Sequence, residues 1–170
     1  VPALVSHLLE PPIGLLGDVW RRFALIALGG IAYATSLLLF ASASDFSLLL
    51  AAMAMFYPAS GTFVGLSQSS LMDSMPGEEE RGMIVWTVAG SVGIAVGPLC
   101  LAGVLALGGT WRVPFVVAAA VAFPLSIFVV VLRPAGLSRP SEPTGDILRA
   151  AKGALRDKAV LRWLALLAAA

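Results

Sequence analysis

Charged residues are scarce in this sequence of 170 residues. Asp, Glu, Lys and Arg make up 12% of the chain, about half of what a soluble domain carries, whereas 59% of the residues are hydrophobic. A chain of this length cannot bury so much apolar surface in one soluble core, so the lipid bilayer is the solvent that fits. The net charge of +1 gives no basic field that would attract nucleic acid.

Cysteine and histidine are almost absent as well. The single cysteine, Cys100, excludes an internal disulfide and any multi-thiolate metal site, and one His with one Cys cannot build a common metal site. We find no glycine-rich phosphate loop and no nucleophile–base spacing, and therefore expect neither an enzyme nor a cofactor. There is no initiator Met and no basic leader, so no signal peptide is indicated. Both ends lie in apolar runs, which predicts a fragment cut at both ends.

Long uncharged runs make up most of the chain. Each reaches the roughly 20 residues with which a helix crosses a bilayer, and none alternates as barrel strands do. The four runs cover residues 23–44, 46–72, 82–111 and 113–132. Residues 1–16 and 159–170 predict partial spans. The expected fold class is an all-α, polytopic transmembrane helix bundle.

The basic residues indicate how these spans are oriented. Ten of the 11 Lys and Arg residues follow the first, third and fifth spans, and only Arg112 lies in an alternate loop. Positively charged loops stay in the cytoplasm, which predicts a multi-pass protein of the cell membrane. The predicted cytoplasmic loops are residues 17–22, 73–82 and 133–158.

The loop at 133–158 differs in composition from the rest. Pro134, Pro140 and Pro143 mark turns or extended chain. Residues 146–158 predict a short amphipathic helix on the cytoplasmic membrane surface. A solvated linker with some helix is an equally good interpretation.

Residues 14–22, which read Gly-Leu-Leu-Gly-Asp-Val-Trp-Arg-Arg, form the most specific segment. It resembles the loop between helices 2 and 3 of the major facilitator superfamily, G-x-L-x-D-R-x-G-R-R. The matching positions are Gly14, Leu16, Asp18 and Arg22, and the departures are Val19, Arg21 and Phe23. The resemblance implies a gate, because in this family the loop helps to hold the cytoplasmic side shut. A surface turn with stop-transfer arginines is the alternative.

Two further segments, 76–82 and 111–115, resemble the family's loop between helices 4 and 5 and its entry to helix 6. By this match residues 1–132 form an N-terminal bundle of helices 2 to 6, and residues 159–170 begin helix 7. A complete member has twelve helices in two related halves. The resemblance therefore implies that helix 1 and the C-terminal half, with its part of the substrate cavity, are missing from this chain.

Gly93, Gly97 and Pro98 resemble the helix 5 motif of the family's exporters, G-x-x-x-G-P-x-x-G-G. Leu101 and Ala102 replace its last two glycines. Small residues four apart let helices pack closely, and Pro98 removes a backbone donor and can bend the helix. The resemblance implies a hinge-like contact between rocking helices, and generic small-residue packing is the alternative.

Helix 4 departs from the pattern R-x-x-Q-G of many proton-coupled members. With the glycine aligned at Gly61, Tyr57 stands at the Arg position and Ser60 at the Gln position. The usual basic element of proton coupling is therefore lacking there. Tyr57, Trp86 and Phe63 are candidates for lining a cavity, with packed or lipid-facing positions as the alternative.

Two ionisable residues lie within the first, partial span. His7 and Glu10 are three residues apart and share a helix face, and ionisable residues at membrane depth usually face a cavity or a partner. Glu10, with His7, is a candidate for carrying a coupling proton or contacting a cationic substrate. A structural hydrogen bond is the alternative, and for His7 it is the favoured one.

Other polar residues cluster at the cytoplasmic end of helix 4. Asp73 is expected to pair with Arg81 or Arg22 and so to latch the gate. Gln68 is expected to make a helix–helix hydrogen bond, with a cavity contact as the less favoured role.

Together these features predict a secondary transporter, an exporter of a small molecule driven by protons through alternating access, with its site near the midplane. Its expected partners are the lipid bilayer, the small-molecule substrate and protons. A metabolite importer or uniporter is a close alternative, because only the partial helix 5 motif indicates the direction of export. A transport-dead, facilitator-like sensor is the alternative of another class.

Overall fold

A computed structural model describes residues 22–131 of the chain. This part forms four helices and contains no strand: α1 (Arg22–Ser42), α2 (Phe46–Asp73), α3 (Glu79–Ala106) and α4 (Arg112–Val131). All four are long and apolar enough to cross a membrane, which confirms the fold class expected from the four uncharged runs. The partial first span, the loop at 133–158 and the start of helix 7 lie outside the described residues.

The helix ends follow from local chemistry. The carboxylate of Asp45 accepts a hydrogen bond of 2.9 Å from the backbone N–H of Leu48 and caps α2, which is the preferred role of Asp before a first turn. Helix α3 begins with Glu79, three residues before the uncharged run, because negative charge is favoured at a helix N-terminus. It ends at Ala106, five residues before Trp111, because Gly108 takes a φ of 78° and turns the chain.

Helix α1 lies at the centre of the described bundle. It packs along its length against α2 on one side and α4 on another, and Leu25 and Ile26 join Leu66 of α2 in a buried apolar cluster. Helix α3 touches α2 and α4 only sparsely, and nearly all of its side chains are exposed. The described bundle is therefore a compact unit of α1, α2 and α4 with α3 loosely attached.

Two glycines of α1 allow this close packing. A Cβ on Gly30 would overlap the Ser126 hydroxyl of α4 and lie 2.9 Å from the Phe63 ring of α2. A Cβ on Gly29 would lie 2.9 Å from the Thr62 methyl group of α2. Small residues at such crossings let membrane helices approach each other closely.

Consecutive helices run in opposite directions, so the bundle has two distinct ends. The end that holds Arg22 and Asp73 is called here the Arg22 end. The opposite end holds Arg112 and the turn between α1 and α2, and is called the Arg112 end.

Candidate functional site

An ion pair joins the start of α1 to the end of α2. Arg22 Nη1 donates to the Asp73 carboxylate, and the two side chains are 23% and 35% exposed. Of the two partners expected for Asp73, the structure brings Arg22 to it. Arg81 pairs with Glu78 instead, at 3.0 Å, and that pair is largely exposed. The partly shielded Arg22–Asp73 pair is less screened by water than the Arg81–Glu78 pair.

The same end carries a contact between α2 and α3. Gln68 Nε2 donates to Met83 Sδ over 3.4 Å, so the structure places Gln68 in a helix–helix contact. Directly before Met83 in the chain, Gly82 packs so closely that a Cβ there would lie 3.2 Å from the Met72 sulfur and 3.4 Å from the Met75 sulfur. Helix α3 is therefore attached to α2 through a small contact formed by Gln68 and methionine side chains.

At the Arg112 end, Arg112 ties α4 to the end of α1. Its Nη2 donates to the backbone carbonyl of Ala43 over 2.7 Å, and its guanidinium lies 5.0 Å from the centre of the Trp111 ring. Ala43 directly follows α1 and is buried. The arginine thus satisfies a carbonyl at a helix end that has no partner within the helix.

A row of aromatic rings, called here the aromatic ladder, connects α1, α2 and α4. Neighbouring ring centres lie between 5.2 and 6.1 Å apart, within the range of favourable aromatic contacts. In order toward the Arg112 end, its members are Phe63, Tyr33, Phe56, Phe40, Phe115 and Trp111. Phe63, one of the cavity candidates, is thereby placed in packing between helices.

Tyr57 stands beside this ladder with its ring edge-on to Phe56 at 5.8 Å and is 39% exposed. Nearby exposed side chains on the same helix are Leu50, Met53 and Val64. No described atom lies within 4 Å of a Cβ built on Gly65. Among residues 22–131, one face of α2 therefore lies open near the middle of the helix.

The helix 5 residues lie on an open face of α3. No atom of residues 22–131 lies within 4 Å of a Cβ built on Gly93 or Gly97, and α3 continues as one helix through Pro98. The predicted contact with a rocking helix is not made among these residues and stays a prediction. His7, Glu10, Gly14, Leu16 and Asp18 lie outside the described part of the chain.

Sequence reasoning missed the close packing of Gly29 and Gly30 and the tie between Arg112 and Ala43. The glycines had a readable signal, because adjacent small residues in an apolar run are typical of close helix contacts. Arg112 had none, because its acceptor is a backbone carbonyl far away in the sequence.

Four spanning helices, with an ion pair between α1 and α2 at one end and an arginine joining α4 to the end of α1 at the other, form a polytopic bundle of the kind from which secondary transporters are built. The family model described as Major Facilitator Superfamily matches residues 1–170. The chain belongs to the major facilitator superfamily, and the resemblance seen in residues 14–22 is confirmed. No match was found among curated proteins or among solved structures.

Proposed function

We propose that this protein exports a small molecule in exchange for protons by alternating access. Membership of the family makes it a membrane transporter in general. The observation that supports export is the open face of α3, on which Gly93 and Gly97 meet no described atom. A smooth face of this kind fits the exporter-type contact that the sequence motif implies.

The Arg22 end is proposed to face the cytoplasm. Arg22 and Arg81 lie there and Arg112 lies at the other end, as positive loops inside the cell require. The ion pair would then join Arg22, the last residue of the segment 14–22 that resembles the family's gating loop, to Asp73 at the end of α2. We assign the latch of the cytoplasmic gate to Arg22 and Asp73, with Arg81 as a second basic residue of the same side.

The coupling proton is assigned to Glu10. Between their ends, the four described helices carry no Asp, Glu, His, Lys or Arg, so these spans offer no carboxylate or imidazole that could carry a proton. Glu10, with His7 on the same helix face, supplies such groups in the first span.

Tyr57, at the position where many proton-coupled members have an Arg, favours a second candidate, a transport-dead sensor of the same fold. An importer or uniporter of a metabolite shares the fold and differs in direction. Flux of a solute together with titration of Glu10 would exclude the sensor.

The test uses the complete protein in cells that lack their main efflux pumps. Accumulation of a chemically varied compound panel is followed with and without a proton uncoupler, for the native protein, Glu10→Gln and the control Glu80→Gln. Glu80 is an exposed residue in the first turn of α3. Export predicts lowered accumulation that is lost with the uncoupler and with Glu10→Gln but kept with Glu80→Gln.

Lowered accumulation that survives Glu10→Gln would keep the exporter and refute the role of Glu10. No change for any compound would favour the importer and the sensor, which uptake assays then separate.

A further inference from the structure

Three of the five methionines of the chain meet where α2 ends and α3 begins. They are Met72 in the last turn of α2, Met75 in the connection and Met83 near the start of α3. A Cβ built on Gly82 would lie 3.2 Å from the Met72 sulfur and 3.4 Å from the Met75 sulfur. The two sulfurs are therefore no farther apart than these two distances added together, and both lie against the start of α3.

The sulfur of Met83 belongs to the same contact. It accepts the hydrogen bond of 3.4 Å from Gln68 Nε2, and Gln68 lies one helical turn before Met72 on the same face of α2. The three methionines Met72, Met75 and Met83 are called here the methionine cluster. Met72 and Met75 are half-buried and Met83 is 44% exposed, so a small ion can reach the cluster from solvent.

Backbone hydrogen bonds hold the middle member of the cluster in place. The N–H of Met75 donates to the carbonyl of Met72 over 3.1 Å, and the carbonyl of Met75 accepts from the N–H of Glu78 over 3.0 Å. Gly77 takes a φ of 82°, a conformation open to glycine, and turns the chain toward α3. Met75 is therefore positioned between the two helices before any ligand binds, which lowers the entropic cost of gathering three ligands.

The chemistry of the cluster selects one class of ligand. Thioether sulfur is a soft ligand that suits Cu(I), whereas carboxylates suit Mg²⁺, Ca²⁺ and Mn²⁺ and imidazole suits Zn²⁺. Two carboxylates of this end already have partners, since Asp73 pairs with Arg22 and Glu78 pairs with Arg81. We propose that the methionine cluster binds one Cu(I) ion through its three thioether sulfurs.

The single thiol of the chain does not belong to this site. Cys100 lies on α3 about 26 Å beyond Met83 at 1.5 Å per residue, and it is exposed. A site of thioethers alone also needs neither of the residue types, Cys and His, that the sequence nearly lacks. Cys100 therefore serves as a control for binding of soft metals elsewhere in the protein.

Bound Cu(I) joins two helices that otherwise touch only sparsely. Met72 belongs to α2 and Met83 to α3, so an ion held by both fastens α3 to the compact unit. The folded protein gains stability as the Cu(I) concentration rises, because the gathered sulfurs bind the ion better than the unfolded chain does. The site lies at the Arg22 end and is independent of the transport function proposed above.

The test titrates the complete protein in detergent micelles with Cu(I) under anaerobic conditions, in competition with the chromogenic chelator ferrozine. Ag(I), a soft ion of the same charge, and Zn²⁺ are compared by calorimetry. The variants are Met72→Leu, Met75→Leu, Met83→Leu and all three together, with Met53→Leu and Cys100→Ser as controls. Leucine replaces methionine at little cost in packing, and melting temperatures without metal are measured first.

We expect one Cu(I) ion per chain, binding of Ag(I), and no binding of Zn²⁺ that depends on the cluster. Each single substitution in the cluster should weaken Cu(I) binding about tenfold or more, the triple variant should lose it, and both controls should keep it. Cu(I) should raise the melting temperature of the native protein and not that of the triple variant.

X-ray absorption at the copper edge tests the ligand set without any substitution. It should find three sulfur neighbours in the native protein and two in Met83→Leu. Absence of Cu(I) binding, nitrogen or oxygen neighbours in place of sulfur, unchanged binding by the triple variant, or loss of binding in Cys100→Ser would each overturn the proposal.

Discussion

The substitution Gly30→Ala tests the central packing of the bundle. Gly30 lies where α1 crosses both of its neighbours, and an added Cβ would overlap the Ser126 hydroxyl of α4 and meet the Phe63 ring at 2.9 Å. Real Cβ atoms almost never approach other atoms so closely, so the buried side chains of Ser126 and Phe63 would have to shift, or α1 would have to move away from its neighbours. We expect Gly30→Ala to lower the free energy of unfolding and to weaken the contact on which the unit of α1, α2 and α4 depends.

The size of the effect follows from overpacking. One extra carbon in a well-packed interior typically costs about 1–3 kcal/mol, and the double contact at Gly30 places this variant in the upper half of that range. The matched control is Gly65→Ala on α2, where no described atom lies within 4 Å of the added carbon. Because alanine is a better helix former than glycine by up to about 1 kcal/mol, the control should be neutral or slightly stabilised.

The assay is unfolding of the complete protein in mixed micelles by increasing SDS, followed by tryptophan fluorescence and circular dichroism. The second variant, Gly30→Ala with Ser126→Ala, removes the hydroxyl that the new carbon meets. That hydroxyl donates to the carbonyl of Ala122 within its own helix, so its removal breaks no hydrogen bond between helices. Equal stability of Gly30→Ala and Gly65→Ala, or no recovery in the double variant, would refute the reasoning.

Three further predictions concern the two ends and the open helix. Arg112→Gln removes the hydrogen bond to the α1 end and should lower the free energy of unfolding by about 1–3 kcal/mol. Arg81→Gln, in an exposed pair, should lower it by at most about 1 kcal/mol. SDS unfolding of both variants checks this, and equal losses of stability would contradict it. Asp73→Asn should slow transport up to about fivefold, and the double variant that exchanges Arg22 with Asp73 should restore part of the transport rate. A double variant that transports no faster than Asp73→Asn would argue against the latch. Gly97→Leu should abolish transport while leaving the melting temperature within a few degrees, and Gly97→Ala should have an intermediate transport rate. Full transport by Gly97→Leu would rule out a packed contact at that face of α3.

The spans could be read from the sequence because the bilayer imposes one length on every uncharged run. The runs at 23–44 and 46–72 match α1 and α2 to within two residues. The third run was placed less well, because charge does not define where a helix begins and ends. Helix α3 includes Glu79 and Glu80 and stops before Gly108, for reasons of helix dipole and turn geometry.

Contacts between helices could be predicted only in part. Two arginines were possible partners of Asp73 from the sequence alone, and the choice of Arg22 depends on α1 and α2 meeting at that end. The sequence predicted a helix–helix hydrogen bond for Gln68, which requires only that α2 and α3 approach each other near this residue. The acceptor of that bond, the Met83 sulfur, could not be identified from the sequence. The central place of α1, set by Gly30 against Ser126, depends on the three-dimensional arrangement, which linear periodicity does not encode.

The most direct test of the account is solute flux in proteoliposomes that contain only the complete protein. A pH gradient imposed across the liposome membrane supplies the driving force. A pH-sensitive dye inside the liposomes reports proton movement while the solute is measured in parallel. Proton-coupled export predicts that a pH gradient of the correct direction drives uphill movement of the solute with opposite proton flow, and that Glu10→Gln abolishes both. Solute movement that equilibrates without responding to the gradient, or proton flow in the same direction as the solute, would contradict a proton-coupled exporter.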